Sequence, residues 1–300
     1  MGRLLGSLVV VLSACGSPRA TPDPMRDAAS NIDDASTIVD ASASCVPACL
    51  GRTCGDDGCG SVCGTCDTTL TCAPNGQCVE RTTLDWAGVH WLIRKGGGGP
   101  GPNTWDPRNV WVDADDTLHL KLAHRDGVWT CAELTASTGF GFGRFQWWVE
   151  GAIDRLDPNV VLGLFTYPTS QVGPDGTNEI DIEMARWGNA SNPPLNYTVW
   201  PATAGTASTT QPSPMVLSGT YTTHRFRWAA DRIDFTSLHG FRDDDLNPIA
   251  TWSFAPADAA HQVPQAPVPL HLNLWLFQGQ PPTDSAEVEI KLHAFAYAPL

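Results

Sequence analysis

The sequence predicts an all-β protein, a β-sandwich or barrel preceded by a small disulfide-rich module. Three observations carry this. From about Leu84 to Leu300, short apolar and aromatic runs are bounded by Gly, Pro, Asn and Asp, and no stretch sustains a 3.6-residue periodicity. The chain of 300 residues holds 28 Gly, 24 Pro and 12 Trp, a composition rich in turns and aromatic rings. A run of about 217 residues is a normal size for one such domain, so one core is expected.

The segments follow in order. MGRLLGSLVVVLSACGS has Arg3 in a short leading region, an apolar stretch from Leu4 to Leu12 and small residues before Cys15. It is too short to span a bilayer and has the shape of a secretory signal peptide over 1–14. Its L-S-A-C ending looks like a bacterial lipoprotein processing site, with lipid on Cys15; the alternative is ordinary cleavage near Ala14. No later segment is apolar enough for a membrane helix, so the expected location is extracytoplasmic, with a lipid anchor as the only membrane attachment. Residues 15–44 are rich in Ala, Asp, Ser, Thr and Pro without an aromatic residue, which predicts a disordered linker. Eight cysteines between Cys45 and Cys78 then predict four disulfides in a 45–80 module, of undetermined connectivity, acting as a spacer or weak binding module. A zinc site using C-G-T-C at 63–66 is the rival. Cys131 is left over and is expected to be buried and inert.

The 84–300 domain contains strand-like runs at NVWVD (109–113), LHLKLA (118–123), FGRFQWWVEG (142–151), VVLGLFTY (160–167), NYTVW (196–200), HRFRW (224–228), LHLNLWLF (270–277) and AEVEIKLHAFAY (286–297). NEIDIEMARWG at 178–188 stands apart. Its strict alternation turns Ile180, Ile182 and Met184 toward a core and places Glu179, Asp181 and Glu183 together on the other face. Like charges so close are unfavourable unless their protons are shared or used. The excess of acids over bases, 32 against 18, excludes a nucleic-acid groove and fits a neutral or weakly charged partner.

FTYPTSQVGPDGTNEIDIE (165–183) resembles the central strand pair of glycoside hydrolase family 16, the laminarinase and lichenase enzymes, whose signature is E-[ILV]-D-x-E. WTCAELTASTGFGFGRFQ (129–146), NYTVW, THRFRWAADRIDF and LNLW (272–275) occur in that family's order and spacing. The resemblance implies a two-sheet antiparallel jelly roll of the concanavalin A-like kind, with one sheet bent into a groove for an extended sugar chain. It implies that Glu179 is the nucleophile, Glu183 the general acid and then base, and Asp181 the residue that sets the charge of Glu179. It also implies that Glu133, Phe165, Tyr167, Asn196, Asn273 and Trp275 line the cleft. Trp187, just past the strand, is a further candidate platform or, alternatively, a core Trp of the second layer. A retaining glycosidase needs two carboxyls about 5–5.5 Å apart, one ionised and one protonated. Glutamates four apart on a strand have Cα atoms roughly 13 Å apart, so their side chains must lean together, which a concave face permits. Crowding raises the proton affinity of at least one of them.

Two departures from the lichenase-like members bear on the substrate. Thr135 stands where they carry Arg, and Gly176, Thr177 and Asn178 precede Glu179 where they place a Trp. No residue is inserted between Asp181 and Glu183, which favours the unbulged branch. Trp147 and Trp148 face opposite ways, so at most one reaches the groove. GGGGPGPN (96–103) lacks the Lys of a phosphate loop and predicts a flexible hairpin at the cleft rim. His119, His124, His224, His239, His271 and His293 show no metal-ligand spacing and are expected to be mostly satisfied polar residues on strands, with His224 the one that could approach the groove, though without a catalytic role. FRDDDLNP (241–248) predicts a solvated loop, or alternatively a structural Ca²⁺ site; no cofactor is required. The function expected is endo-acting, retaining hydrolysis of β-glycosidic bonds in a polysaccharide of β-glucan or galactan type, by a monomer. A transglycosylase using the same intermediate and a non-catalytic carbohydrate-binding surface protein of the same fold are the alternatives.

Overall fold

The structure is a computed structural model that describes residues 45–66, 70–73 and 75–300. The expected signal peptide, Cys15 and the 15–44 linker lie outside the described residues. The cysteine-rich module contains β1 (Leu70–Cys72) and β2 (Cys78–Glu80). Its eight cysteines pair as Cys45–Cys59, Cys49–Cys63, Cys54–Cys72 and Cys66–Cys78, so both halves of the C-G-T-C pair are disulfide-bonded rather than free for zinc.

The larger part is a two-sheet antiparallel sandwich, as expected. Its strands are β3 (Thr83–Trp86), β4 (Val89–Ile93), β5 (Gly96–Gly98), β6 (Asn103–Trp105), β7 (Val110–Val112), β8 (Leu118–Arg125) and β9 (Val128–Thr130). They continue as β10 (Ala132–Phe140), β11 (Gly143–Glu150), β12 (Val160–Thr166), β13 (Ile180–Met184), β14 (Leu195–Val199) and β15 (Thr209–Ser213). The last are β16 (Tyr221–Trp228), β17 (Ile233–His239), β18 (Pro248–Phe254), β19 (Val268–Leu276) and β20 (Val288–Pro299). One sheet has the order β15-β14-β13-β12-β19-β10-β4-β3 and the other β18-β17-β16-β11-β20-β8-β7, with β9 paired to β8. Among the described residues no helix is long and apolar enough to cross a membrane.

Period-2 patterning builds the core. Ile180, Ile182 and Met184 of β13 pack inward with Leu162 and Leu164 of β12 and Leu272 and Leu274 of β19, all fully buried. The opposing sheet answers with aromatic rings: Phe145 lies 4.6 Å from Phe226 and 4.9 Å from Tyr297, and Trp147 lies 5.4 Å from Phe295. Trp147 is therefore a core residue and Trp148 lies on the outer face of the second sheet, so neither reaches the groove. His224 does not approach the groove either. It is wholly buried on β16, where its Nδ1 meets Ser237 Oγ at 2.8 Å and its Nε2 meets Thr222 Oγ1 at 2.9 Å. Its neighbours Phe226 and Trp228 at alternate positions point the same way into the core, which is why the period-2 pattern of β16 carries it inward. Cys131 is buried, and burial pushes its thiol up to about 12. In the 241–248 loop Asp245 meets Arg225 at 2.7 Å, Asp244 meets Arg242 at 2.7 Å and Asp243 accepts from Gln146 at 3.0 Å, so its acids face separate partners rather than one centre.

Candidate active site

The outer face of β13 is read across the first sheet as rows, because antiparallel register puts directly paired residues on the same face. One row runs Glu133 (β10), Asn273 (β19), Gly163 (β12), Glu183 (β13) and Asn196 (β14). The next runs Thr135, His271, Phe165, Asp181, Thr198 and Thr210 on the same strands in turn, ending on β15. Beyond them, Tyr167 N–H bonds Pro269 O at 3.0 Å and Trp200 N–H bonds Glu179 O at 2.9 Å, which carries Tyr167, Glu179 and Trp200 onto the same face. The register of β13 with both neighbours is unbroken, as the unbulged pattern predicts.

These rows floor a cavity of about 930 Å³ lined by Glu133, Phe165, Tyr167, Glu179, Asp181, Glu183, Trp187, Asn273 and Trp275, together with Arg94, Asp175, Trp200 and His271. All three expected catalytic acids and six of the seven expected binding residues thus meet in one groove. Asn196 is the exception. It sits beside Glu183, but its Nδ2 donates to Ala185 O at 2.9 Å and it does not line the cavity. Gly99 and Pro100, in the turn between β5 and β6, form part of the rim, as expected of the glycine-rich hairpin. A smaller hollow of about 420 Å³ lies under the 168–175 loop and gathers no comparable set of acids.

Four residues of the site were not anticipated. Trp200 Nε1 donates to Asp181 Oδ2 at 2.9 Å. Arg94 donates to Glu133 Oε2 at 2.8 Å while its guanidinium lies 4.4 Å over the Trp105 ring. His271 Nδ1 lies 3.1 Å from Thr135 Oγ1 and 3.4 Å from Glu133 Oε1. Gly163 leaves the floor open between Asn273 and Glu183: a Cβ there would come within 2.4 Å of Asn273 Oδ1. His271 had a signal in the sequence, since LHLNLW places it on the same face as Asn273 and Trp275. Trp200 closes the expected NYTVW strand. Nothing in the local pattern marks Arg94, whose partner lies on another strand.

The electrostatics follow from crowding in a poorly solvated floor. Burial, then the charge of Glu183, pushes Glu179 up to about 8, against a hydrogen bond with Asp181 that lowers it. Burial and the adjoining Glu179 raise Asp181, with the Trp200 indole acting the other way. Burial and then Asp181 raise Glu183. Asp181 is 3% exposed, whereas Glu179 and Glu183 keep an edge open to the cleft. The interaction between the two lowers Glu179 and raises Asp181, so of this pair Glu179 is the one that gives up its proton more readily. The arrangement offers three carboxyl groups of raised proton affinity, Glu179 and Glu183 two rows apart with an edge open to the cleft, and aromatic and amide side chains on both flanks.

Fold and groove together define a two-sheet jelly roll with an acidic, aromatic-lined cleft on one sheet. No protein-family model matches the chain, and no curated protein matches it. Solved structures do. The chain is similar to a Bacillus licheniformis beta-glucanase at 19% identity and a TM-score of 0.51, over 70% of this chain and 92% of that one. A prokaryotic beta-1,3-1,4-glucanase (lichenase) derived from a mouse hindgut metagenome aligns at 20% identity and a TM-score of 0.52, over 70% and 93%. An immunostimulatory antigen and pseudo beta-1,3-glucanase of Mycobacterium tuberculosis aligns at 18% and 0.54, over 70% and 91%. What these likenesses establish is the fold, the jelly roll of the β-glucanases.

Proposed function

We propose that the chain is an endo-acting, retaining hydrolase of β-glycosidic bonds in a neutral polysaccharide of β-glucan or galactan type, acting as a monomer. The observation that carries this is the alternation of Glu179, Asp181 and Glu183 along one groove face above a core of Ile180, Ile182 and Met184. In the first step Glu179 attacks the anomeric carbon while Glu183 protonates the departing oxygen. In the second, Glu183 takes a proton from water, which displaces the sugar from Glu179. Asp181, raised by burial and by Glu179, keeps its proton, so that Glu179 is the group that carries the charge when it attacks. The groove continues on both sides of β13, toward Trp200, Thr198 and Thr210 on one flank and toward Phe165, Asn273 and Glu133 on the other. Sugar units on both sides of the scissile bond fit an internal linkage. Glu133, Asp175, Glu179, Asp181 and Glu183 face the cavity, and the one Arg among its described lining residues, Arg94, is already paired with Glu133, which disfavours sulfated or uronic chains.

The same reading places the enzyme outside the cytoplasm, held by lipid on Cys15; the four disulfides support an oxidising compartment. A second reading, a carbohydrate-binding protein without turnover, is favoured by one observation. All three acids hold protons more tightly than ordinary carboxyls, and a fully protonated set has no nucleophile. Reducing-end release on laminarin, lichenan, agarose, carrageenan and xyloglucan separates the two. The expected result is release from a neutral glycan, reduced on the order of 10³-fold or more by Glu179→Gln. Binding of a glycan by the unaltered chain with no release of reducing ends would instead establish the second reading.

A further inference from the structure

We infer that His271 is a specificity-determining residue of the groove, its Nε2 receiving a free hydroxyl of the sugar unit that lies over Phe165 and Tyr167. This rests on the polysaccharide reading above and assigns a recognition element within it. His271, Asn273 and Trp275 alternate on β19, and all three line the cavity. His271 is held from behind: its Nδ1 is 3.1 Å from Thr135 Oγ1 and 3.4 Å from Glu133 Oε1, and the other oxygen of Glu133 accepts from Arg94. An anion fixed by a guanidinium beside Nδ1 favours the tautomer that carries its proton there, which leaves the lone pair on Nε2. Nε2 has no hydrogen-bond partner among the described residues, although the side chain is only 13% exposed. The ring is also fixed in plane, 5.1 Å from the Phe165 ring at 32° and 5.7 Å from Tyr167.

A core histidine would have both nitrogens committed, as His224 does. His271 has one committed nitrogen and one presented to the cleft, next to two aromatic rings suited to a sugar face. Thr135 is part of the device. An Arg at that position would compete for Glu133, whereas the Thr hydroxyl leaves room for the imidazole and orients it. A hydroxyl-reading nitrogen in a partly desolvated cleft discriminates strongly, because a sugar without that hydroxyl leaves it unpaired.

The test is calorimetric binding of a β-1,3-glucan hexasaccharide and a mixed-linkage β-glucan hexasaccharide to the full chain in a Glu179→Gln background, where turnover is removed. His271→Met keeps the volume and removes the polar atom; His271→Gln returns a polar group to the same site. The expected result is about 10-fold or greater loss of affinity for the better sugar in His271→Met and substantial recovery in His271→Gln, with melting temperatures matching the parent. In chains retaining Glu179, His271→Met is expected to raise KM with little change in kcat. Equal affinity of the Met variant and its parent would overturn the inference, as would failure of the parent to bind either sugar. A hydrolytically silent chain whose affinity still falls in His271→Met would overturn the hydrolase reading and leave this one standing.

Discussion

Glu179 and Asp181 share a groove face, where Trp200 donates to Asp181, and the position without a side chain on the neighbouring strand matters as much to the site as they do. Gly163 is paired with Glu183 on one side and Asn273 on the other. An added Cβ would stand 2.4 Å from Asn273 Oδ1 and 3.2 Å from Phe165 Cδ1. Among the described residues the buried Asn273 Oδ1 has no partner, so no bond to them resists its displacement, and the amide is expected to tip into the cleft. Gly163→Ala is therefore predicted to cut hydrolysis on the order of 10-fold or more through misplaced groups, while the sandwich still folds. The measurement is kcat/KM alongside thermal melting. Unchanged kcat/KM would show that the Asn273 amide does not position substrate.

At the scale of elements, what was legible in the sequence follows from how each strand is solvated. Strands with one face in the core, such as β13, β16 and β19, announce themselves through alternation, which sets Glu179, Asp181 and Glu183 on one face; that this face is a groove, with Asn273 and Trp275 in it, is what the family resemblance implies. The edge strand β15, TTQPS, is largely exposed and has no apolar face to read. Alternation gives a face but not a partner, which is why Asn196 reached the correct face with its amide committed to Ala185, and why His224 was set near a groove it never meets. Disulfide pairing is likewise a property of approach in space. The module it holds has strands of three residues, and Cys54 is its one buried hydrophobic side chain among the described residues. Each bridge closes a short loop, with separations of 14, 14, 18 and 12, worth roughly 3 kcal/mol in lost chain entropy. Reductant is predicted to unfold this module and leave the tryptophan-reported melting of the sandwich within a few degrees, since among the described residues the sandwich contains no disulfide. Thiol labelling should then count eight reactive cysteines in the described residues, with Cys131 protected until the sandwich melts. Early labelling of Cys131 would show that the module supports the sandwich.

At the scale of the whole molecule, the sandwich carries two buried titratable features that pull stability in opposite directions with pH. One is the groove. Glu179 has an ordinary value of 4.5 in the unfolded chain and about 8 in the folded one. Between these values the folded chain keeps a proton that the unfolded chain releases, so stability falls as pH rises from about 4.5 to 8. The other is a polar bridge through the core: Tyr197 of one sheet donates to Ser237 of the other at 2.8 Å, and Ser237 meets His224 at 2.8 Å. Burial pushes His224 down to about 3 from 6.5, so below pH 6.5 the unfolded imidazole takes a proton that the folded one refuses. Stability therefore also falls as pH drops from about 6.5 toward 3, and the two limbs enclose a maximum between about 4.5 and 6.5. The groove limb is the thermodynamic cost of holding acids where they can react. Glu179→Gln should remove much of it, adding on the order of 1–2 kcal/mol at pH 8, reduced from the full linkage value because the carboxyl keeps a solvent-facing edge, and almost nothing at pH 4.5. Urea midpoints for the unaltered chain and this variant across pH 4 to 9 measure it. A constant difference between the two at every pH would mean that the substitution acts through packing and that Glu179 releases its proton as an ordinary carboxyl does.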